Sequence, residues 1–258
     1  KYYALLGEFA KIEAAVAASG IPAPRTEPKL LRYLPADAVL YLAVPNPGPL
    51  AKQITELVGQ RSAESAVLRD WWNSSRGENL KQLLGRVQAL APILGDEVVL
   101  VATRQPASVT PAFLAEVQPG QQEALKQALS EPLHGDLGAV HISGGLVVLS
   151  DSRAHLDSIL SRLGHGAASP FASEIAAHYQ NGVDVLCVWD AAATPPSADK
   201  PGGAAAFLGA DKLKYVSFQQ GPVGGSEESQ ASLLFSGPRT GAASWLAGLL
   251  YLSFYHVY

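Results

Sequence analysis

Apolar positions along the chain follow two spacings. From Tyr3 to Ser19 the apolar residues Leu5, Leu6, Phe9, Ile12, Ala15 and Val16 recur every three or four positions, which predicts an amphipathic helix closed by Gly20. Further on, short runs rich in Val, Leu, Ile and aromatics predict strands, first at Val39 to Val44 and then at Val98 to Ala102. A strand-type run, a helix-start signal and a leucine-bearing helix follow one another at Tyr41 to Val58, Phe113 to Leu129 and Leu146 to Leu163. Such repetition predicts one packing unit used several times, each helix covering a face of its own strand.

The punctuation supports these boundaries. Asn46-Pro47-Gly48-Pro49 starts a helix marked by Leu50, Ile54 and Leu57, and Asp151 or Ser152 caps one bearing Leu156, Ile159, Leu160 and Leu163 that stops at Gly164. Ser169-Pro170 opens another helix before the strand Val183 to Trp189. Val98 to Ala102 and Ala112 to Val117 pair as a hairpin, as do Ala139 to Ile142 and Leu146 to Leu149 across Ser143-Gly144-Gly145. Leu213 to Gln219 and Ser229 to Phe235 form a third. Trp71 and Trp72, in a helical region with Val67 and Leu68, are expected to pack rather than to present a ligand platform.

The predicted fold class is therefore α+β, a largely antiparallel mixed sheet covered by helices and built from repeated strand-helix units. The expected divisions are an N-terminal amphipathic helix at 1–20, a Pro-rich linker at 21–33, an α+β domain at 34–247 with a candidate break between two packed halves near 165–170, and an aromatic segment at 248–258.

Composition narrows the function classes. With 258 residues, 48% of them hydrophobic, the chain has material for a substantial core. Charged residues make up 16% against about 25% in an average domain, the net charge is -4, and no basic run occurs, so a phosphate-binding nucleic-acid surface is not expected. The chain opens at Lys1 and contains no Met, which predicts a processed or truncated N-terminus. The longest apolar stretch, Trp245 to Tyr258, is shorter than the roughly 20 residues of a membrane-spanning helix. Its Trp245, Tyr251, Phe254, Tyr255 and Tyr258 suit a membrane interface or a partner surface, the alternative being a buried final strand or helix.

Chemistry is sparse. His134, Asp136 and His141 are the nearest approach to metal-ligand spacing, but two lie in a turn and one in a predicted strand. His155, His165 and His178 are scattered over separate elements. No Gly-x-Ser-x-Gly elbow and no phosphate-binding glycine loop is present. Cys187, the single cysteine, has apolar neighbours and no adjacent cation to activate it. Asp96 and Glu97 are adjacent strand residues that point to opposite faces, so turn chemistry is the expected role, and Asp190 is expected to cap or to face solvent. No catalytic, cofactor-binding or metal-ligating residue is expected.

The stretch Leu34-Pro35-Ala36-Asp37-Ala38-Val39-Leu40-Tyr41-Leu42-Ala43-Val44-Pro45 and, later, Leu94-Gly95-Asp96-Glu97-Val98 resemble uncharacterised bacterial extracytoplasmic proteins of the domain-of-unknown-function type, particularly acidobacterial ones. Gly145-Leu146-Val147-Val148-Leu149-Ser150-Asp151 and Phe235 to Ala247 share that likeness, which spans most of Leu34 to Ala247. The resemblance implies an exported or membrane-tethered setting and no catalytic residue.

The expected function is that of a non-catalytic extracytoplasmic protein acting by protein contacts, as an accessory or structural subunit of a membrane-associated or surface assembly. Leu5, Phe9 and Ile12 of the first helix and Trp245, Tyr251, Phe254, Tyr255 and Tyr258 of the last segment are the interaction candidates. The expected partners are protein subunits, with contact to a membrane surface as a further option. The alternatives are a periplasmic module for a small ligand or peptide, held in a groove involving Trp71, Trp72 and Trp189, and a hydrolase whose acidic or histidine residues are distant in sequence.

Overall fold

The computed structural model of the chain describes residues 2–18, 24–105, 108–130, 138–180, 182–194, 209, 212–223, 226–238, 241 and 244. Its chain contacts divide into two compact units, one of Lys1–Ala23, Pro45–Asp96 and Val117–Pro132, the other of Pro24–Val44, Glu97–Glu116 and Leu133–Tyr258. Both are discontinuous in sequence. The fold is mixed α and β with an eight-stranded antiparallel sheet and seven α-helices among the described residues.

The first unit is helical. It holds α1 (Tyr2–Ala18), α2 (Gly48–Glu64), α3 (Ala66–Trp72), α4 (Ser75–Leu90) and α5 (Gln122–Ser130). The serines the chain places between helices do the capping: Ser65 Oγ accepts from Leu68 N at the start of α3, and Ser74 Oγ from Gly77 N at the start of α4. Asn46 ties the entry of α2 to the exit of α4, its Nδ2 donating to Ala91 O and Gly95 O at 2.8 Å while its Oδ1 accepts from Gly48 N at 3.0 Å. The stripe of α1 packs within this unit. Ile12 is buried with Val58 and Leu68, Leu5 and Phe9 lie half-buried against them, and the Phe9 ring meets Trp71 edge-on at 4.8 Å. Trp71 and Trp72 belong to the same cluster.

The second unit carries the sheet, formed by β1 (Ala38–Pro45), β2 (Leu94–Arg104), β3 (Val109–Val117), β4 (Ala139–Ser143), β5 (Leu146–Ser150), β6 (Val185–Asp190), β7 (Leu213–Val223) and β8 (Ser226–Phe235). Its order is β4-β5-β3-β2-β1-β6-β7-β8, so the first strand of the chain lies between the second and the sixth. The β4/β5 hairpin turns through Gly144 at φ +59° and Gly145 at φ +80°, left-handed values that favour glycine there.

One face of the sheet forms the core. Tyr41, Ala43, Val99, Val101, Ala112, Leu114, Leu146, Val148, Leu186 and Val188 point to it, and it is covered by the 3-10 helix η1 (Lys29–Tyr33), by Leu156 and Ile159 of α6 (Arg153–Arg162), and by Phe171, Ile175 and Tyr179 of α7 (Pro170–Tyr179). Ser152 and Ser169 cap α6 and α7 by accepting from His155 N and Ala172 N. Residues 29–33 of the expected linker are thus part of the core layer.

The strand-then-helix order recurs at β1–α2, β3–α5 and β5–α6. Only the third pair packs as a unit among the principal contacts: α6 lies on β4 and β5, whereas the main neighbours of α2 are α3 and α4 and that of α5 is α4. The recurrence is one of element order.

Candidate functional site

Alternation along the strands fixes what the second face of the sheet displays. With Tyr41, Val99, Leu114, Val148 and Leu186 in the core, the outward side carries Leu40 and Leu42 on β1, Val98 and Leu100 on β2, Phe113 on β3, Leu149 on β5, and Cys187 and Trp189 on β6, while Ala102, Ala115 and Val147 on that same side are buried. Cross-strand register joins them into rows. Leu40 pairs with Trp189, Trp189 with Val216 and Val216 with Leu233, while Leu42 pairs with Cys187, Cys187 with Phe218 and Phe218 with Ala231. On the other half of the sheet Phe113 pairs with Leu149, and Leu149 with Val140.

These rows carry no charge. Phe113 is 45% exposed, Phe218 42%, Leu233 39% and Trp189 37%, and Leu40, Leu42, Val98, Leu100 and Leu149 are half-buried. An antiparallel sheet with one solvated face ordinarily alternates apolar and polar residues, whereas near-continuous apolar strands belong to sheets covered on both sides. Among the described residues of this unit every helix lies on the other face.

Three polar sites lie elsewhere in the same unit. At the first, Arg25 Nη1 donates to Glu97 Oε2, and Glu97 also accepts from Leu30 N at 3.0 Å and from the Tyr179 hydroxyl at 3.3 Å. Arg25 is fixed in turn by a two-residue bridge to Val183. Burial raises the Glu97 carboxyl above its usual range, against the pull of the Arg25 charge and the donated hydrogen bonds. Turn chemistry was the expectation for Glu97; the inward-facing strand position instead makes it the buried acceptor of three elements.

The second site centres on His155 in the first turn of α6. Its Nδ1 lies 3.1 Å from Asp151 Oδ1 and 2.7 Å from Ser150 Oγ, and its Nε2 lies 2.8 Å from Thr103 Oγ1 on β2. Since an ionised carboxylate only accepts, the ring proton belongs on Nδ1 and Nε2 accepts from the Thr103 hydroxyl. Desolvation opposes ionisation of Asp151, but hydrogen bonds from His155, Ser150 and Ser152 outweigh it and hold the carboxyl below its usual range. Gly138 fits against this corner because a Cβ there would sit 2.0 Å from Ser150 O.

Carboxylate, imidazole and hydroxyl in this order have the connectivity of a nucleophilic relay. Thr103, however, is 1% exposed and Ser150 5%, so neither hydroxyl has an approach for a substrate carbonyl. The arrangement joins β2, β5 and α6 as a buried polar network. Replacing His155 by Ala is expected to destabilise the protein by about 1–3 kcal/mol through the Thr103 hydroxyl it leaves unpaired, Ser150 keeping its bond to Asp151, and Thr103→Val in the same background to recover part of that loss, measured by urea unfolding.

The third site is a cavity of about 260 Å³ at one end of the sheet, where Asp37, Arg104, Phe171, Asp190, Lys214 and Tyr215 are among the lining residues. Its acidic groups are engaged: Asp37 accepts from Arg162, and Asp190 Oδ1 accepts from Ala193 N at 2.9 Å, the capping role expected of it. Arg104 donates to Ala193 O at 3.1 Å and Lys214 lies over the Tyr215 ring.

Of the residues singled out in the sequence, Leu5, Phe9 and Ile12 pack inside the helical unit, and Trp189 lies on the outward sheet face of the other. Trp245, Tyr251, Phe254, Tyr255 and Tyr258 lie outside the described residues, as do His134 and Asp136. Cys187 is half-buried in the outward row and burial raises its thiol, which disfavours the reactive thiolate. The described residues contain no metal-ligating cluster and no helix long and apolar enough to cross a membrane. Compared with known proteins, the chain matches no family model, no curated protein and no solved structure.

Proposed function

We propose that the chain is a non-catalytic protein working through protein contacts, a structural or accessory subunit whose binding surface is the outward face of the sheet. The observation that carries this reading is the uncharged row of partly exposed large side chains, Leu40-Trp189-Val216-Leu233 and its neighbour through Phe218. Leaving so many apolar groups in water is costly, at about 25 cal/mol for each Å² that a partner would cover. The burial of the Thr103 and Ser150 hydroxyls supports the non-catalytic part. An extracytoplasmic, membrane-associated setting rests on the resemblance of the Leu34 to Pro45 and Gly145 to Asp151 stretches.

The test is mass spectrometry of the intact particle, isolated gently from source membranes and the exterior fraction. A stoichiometric assembly that dissociates in Phe218→Asp is the expected result. A lone chain that binds nothing in either form, at any concentration, would overturn the reading.

A second reading, a small-ligand module, is favoured by the cavity beside Phe171 and Tyr215. Its volume of about 260 Å³ falls below the roughly 300–1,000 Å³ of typical ligand pockets, which places this reading second. Trp189 reports on it, since its Nε1 donates to Thr194 Oγ1 at 2.6 Å beside the cavity-lining Ala193. Saturable ligand-dependent fluorescence that persists in Trp71→Phe/Trp72→Phe and vanishes in Trp189→Phe would support it.

A further inference from the structure

We infer that the cavity at one end of the sheet is a binding site for a free α-amino acid with an apolar side chain, its ammonium held by Asp190 and its carboxylate by Lys214 and Arg104. The inference rests on the small-ligand reading of that cavity and names the ligand. All the lining residues belong to the second unit, at the ends of β2 and β6 and the starts of β1, β7 and α7. The first support is a pair of opposite charges left unjoined. Lys214 stands in a bulge between Leu213 and Tyr215, where an extra residue re-aims a side chain, and its Nζ lies 4.9 Å from the centre of the Tyr215 ring with no carboxylate in ion-pair reach among the described residues. Asp190, the register partner of Tyr215, uses Oδ1 on Ala193 N, and its Oδ2 has no hydrogen-bond partner among the described residues. Two charges that share a small cavity without pairing are complementary to a ligand that carries both.

The balance of charge is the second support. Arg104 donates Nη1 to Ala193 O at 3.1 Å, which leaves its Nη2 and Nε donors for a carboxylate. The helix α7 also starts here, with Pro170 at its first position, and the Phe171 N–H in its first turn has no intrahelical acceptor. Asp37 adds no net charge, since it is joined to Arg162. The unbalanced lining groups are then Lys214 and Arg104 against Asp190, as a carboxylate set on two cations and an ammonium set on one acid require. Third are size and walls. A volume of about 260 Å³ is too small for a nucleotide or a folded peptide segment, and the Phe171 and Tyr215 rings, with centroids 5.9 Å apart, form an apolar wall for a short hydrophobic side chain.

Isothermal titration calorimetry of the full chain with L-leucine and L-phenylalanine tests this, each beside its des-amino and its decarboxylated analogue. One or both amino acids are expected to bind at a single site with a Kd below about 1 mM, and the analogues at least tenfold more weakly. Asp190→Asn, which keeps an acceptor for Ala193 N, is expected to weaken the amino acid at least tenfold and to leave the des-amino analogue unchanged. Lys214→Gln is expected to weaken the amino acid likewise and to leave the decarboxylated analogue unchanged, with circular dichroism unaltered in both variants. The analogue comparison uses the wild-type chain, so it decides the matter even where a variant fails to fold. An analogue that binds as tightly as its amino acid would overturn the zwitterionic ligand and leave the small-ligand reading standing. Amino-acid binding that both folded variants retain would overturn the assignment to this cavity. No saturable binding by any of the six compounds would overturn the inference, and the Trp189 fluorescence response to other ligands then decides the small-ligand reading separately.

Discussion

Replacing Arg25 by Met is expected to cost about 3–5 kcal/mol of folding stability at neutral pH, the largest loss from any single polar substitution here. Glu97 is 2% exposed and loses its counter-charge in this variant while its surroundings remain dry. The lost charge pair is only part of the effect. The Arg25 guanidinium also donates to backbone carbonyls of β1 and of the segment before β6, so two stretches distant in sequence lose a shared donor.

The pH dependence has a definite sign. The Glu97 carboxyl is raised in the folded state above its ordinary value of 4.5, so its contribution is full below that value and is lost as pH rises through the folded one. Removing Arg25 raises it further. The deficit of Arg25→Met relative to wild type is therefore expected to shrink as pH is lowered toward 4.5 and to grow toward neutrality, measured by urea unfolding at fixed ionic strength. Asp151 has the opposite slope: its lowered carboxyl contributes stability above the ordinary value that is lost as pH falls through the folded one. A deficit that does not change with pH would show that Glu97 keeps the same protonation state in both proteins.

The second large effect is a contrast between neighbours on β3. Leu114 is 1% exposed in the core and Phe113 is 45% exposed on the outward face. Leu114→Ala is expected to destabilise by about 2–5 kcal/mol at every protein concentration, because it opens a cavity in a packed layer. Phe113→Ala is expected to cost much less, because nearly half of the ring already stands in solvent and its removal opens no enclosed cavity. Equal losses at both positions, measured by urea unfolding, would mean that Phe113 is as fully packed within its own chain as Leu114.

Much of the fold was legible in the sequence because its signals are local. The glycines of the β4/β5 turn, Ser152 and Ser169 at their caps, and the hairpin strands all stand within a few residues of what they determine. The α+β class follows from them. The polar networks were not legible for the opposite reason. Arg25 is 72 residues from Glu97 and Thr103 is 52 from His155, so strand order alone brings them together. A partial signal existed in Asp151 and His155, spaced four apart across a helix start.

The packing of α2 and α5 was likewise beyond reach, since their leucines record that a face is buried and not what buries it. The outward sheet face did leave a trace. Val39 to Val44 and Val98 to Ala102 lack the polar alternation of a solvated antiparallel strand, which is how the sequence records an apolar second face.

The place of β1 in the sheet sets a timetable for the nascent chain. Its strand partners are β2 and β6, and the register Leu40 with Trp189 joins residues 149 positions apart. While the ribosome makes the intervening helices and hairpins, one edge of β1 has no mate, and its unpaired N–H and C=O groups stay available for wrong pairings. The second edge of β1 is paired only when β6 emerges, and β7 and β8 must follow before the sheet is complete, so loop closure over this long separation precedes the contacts that reward it.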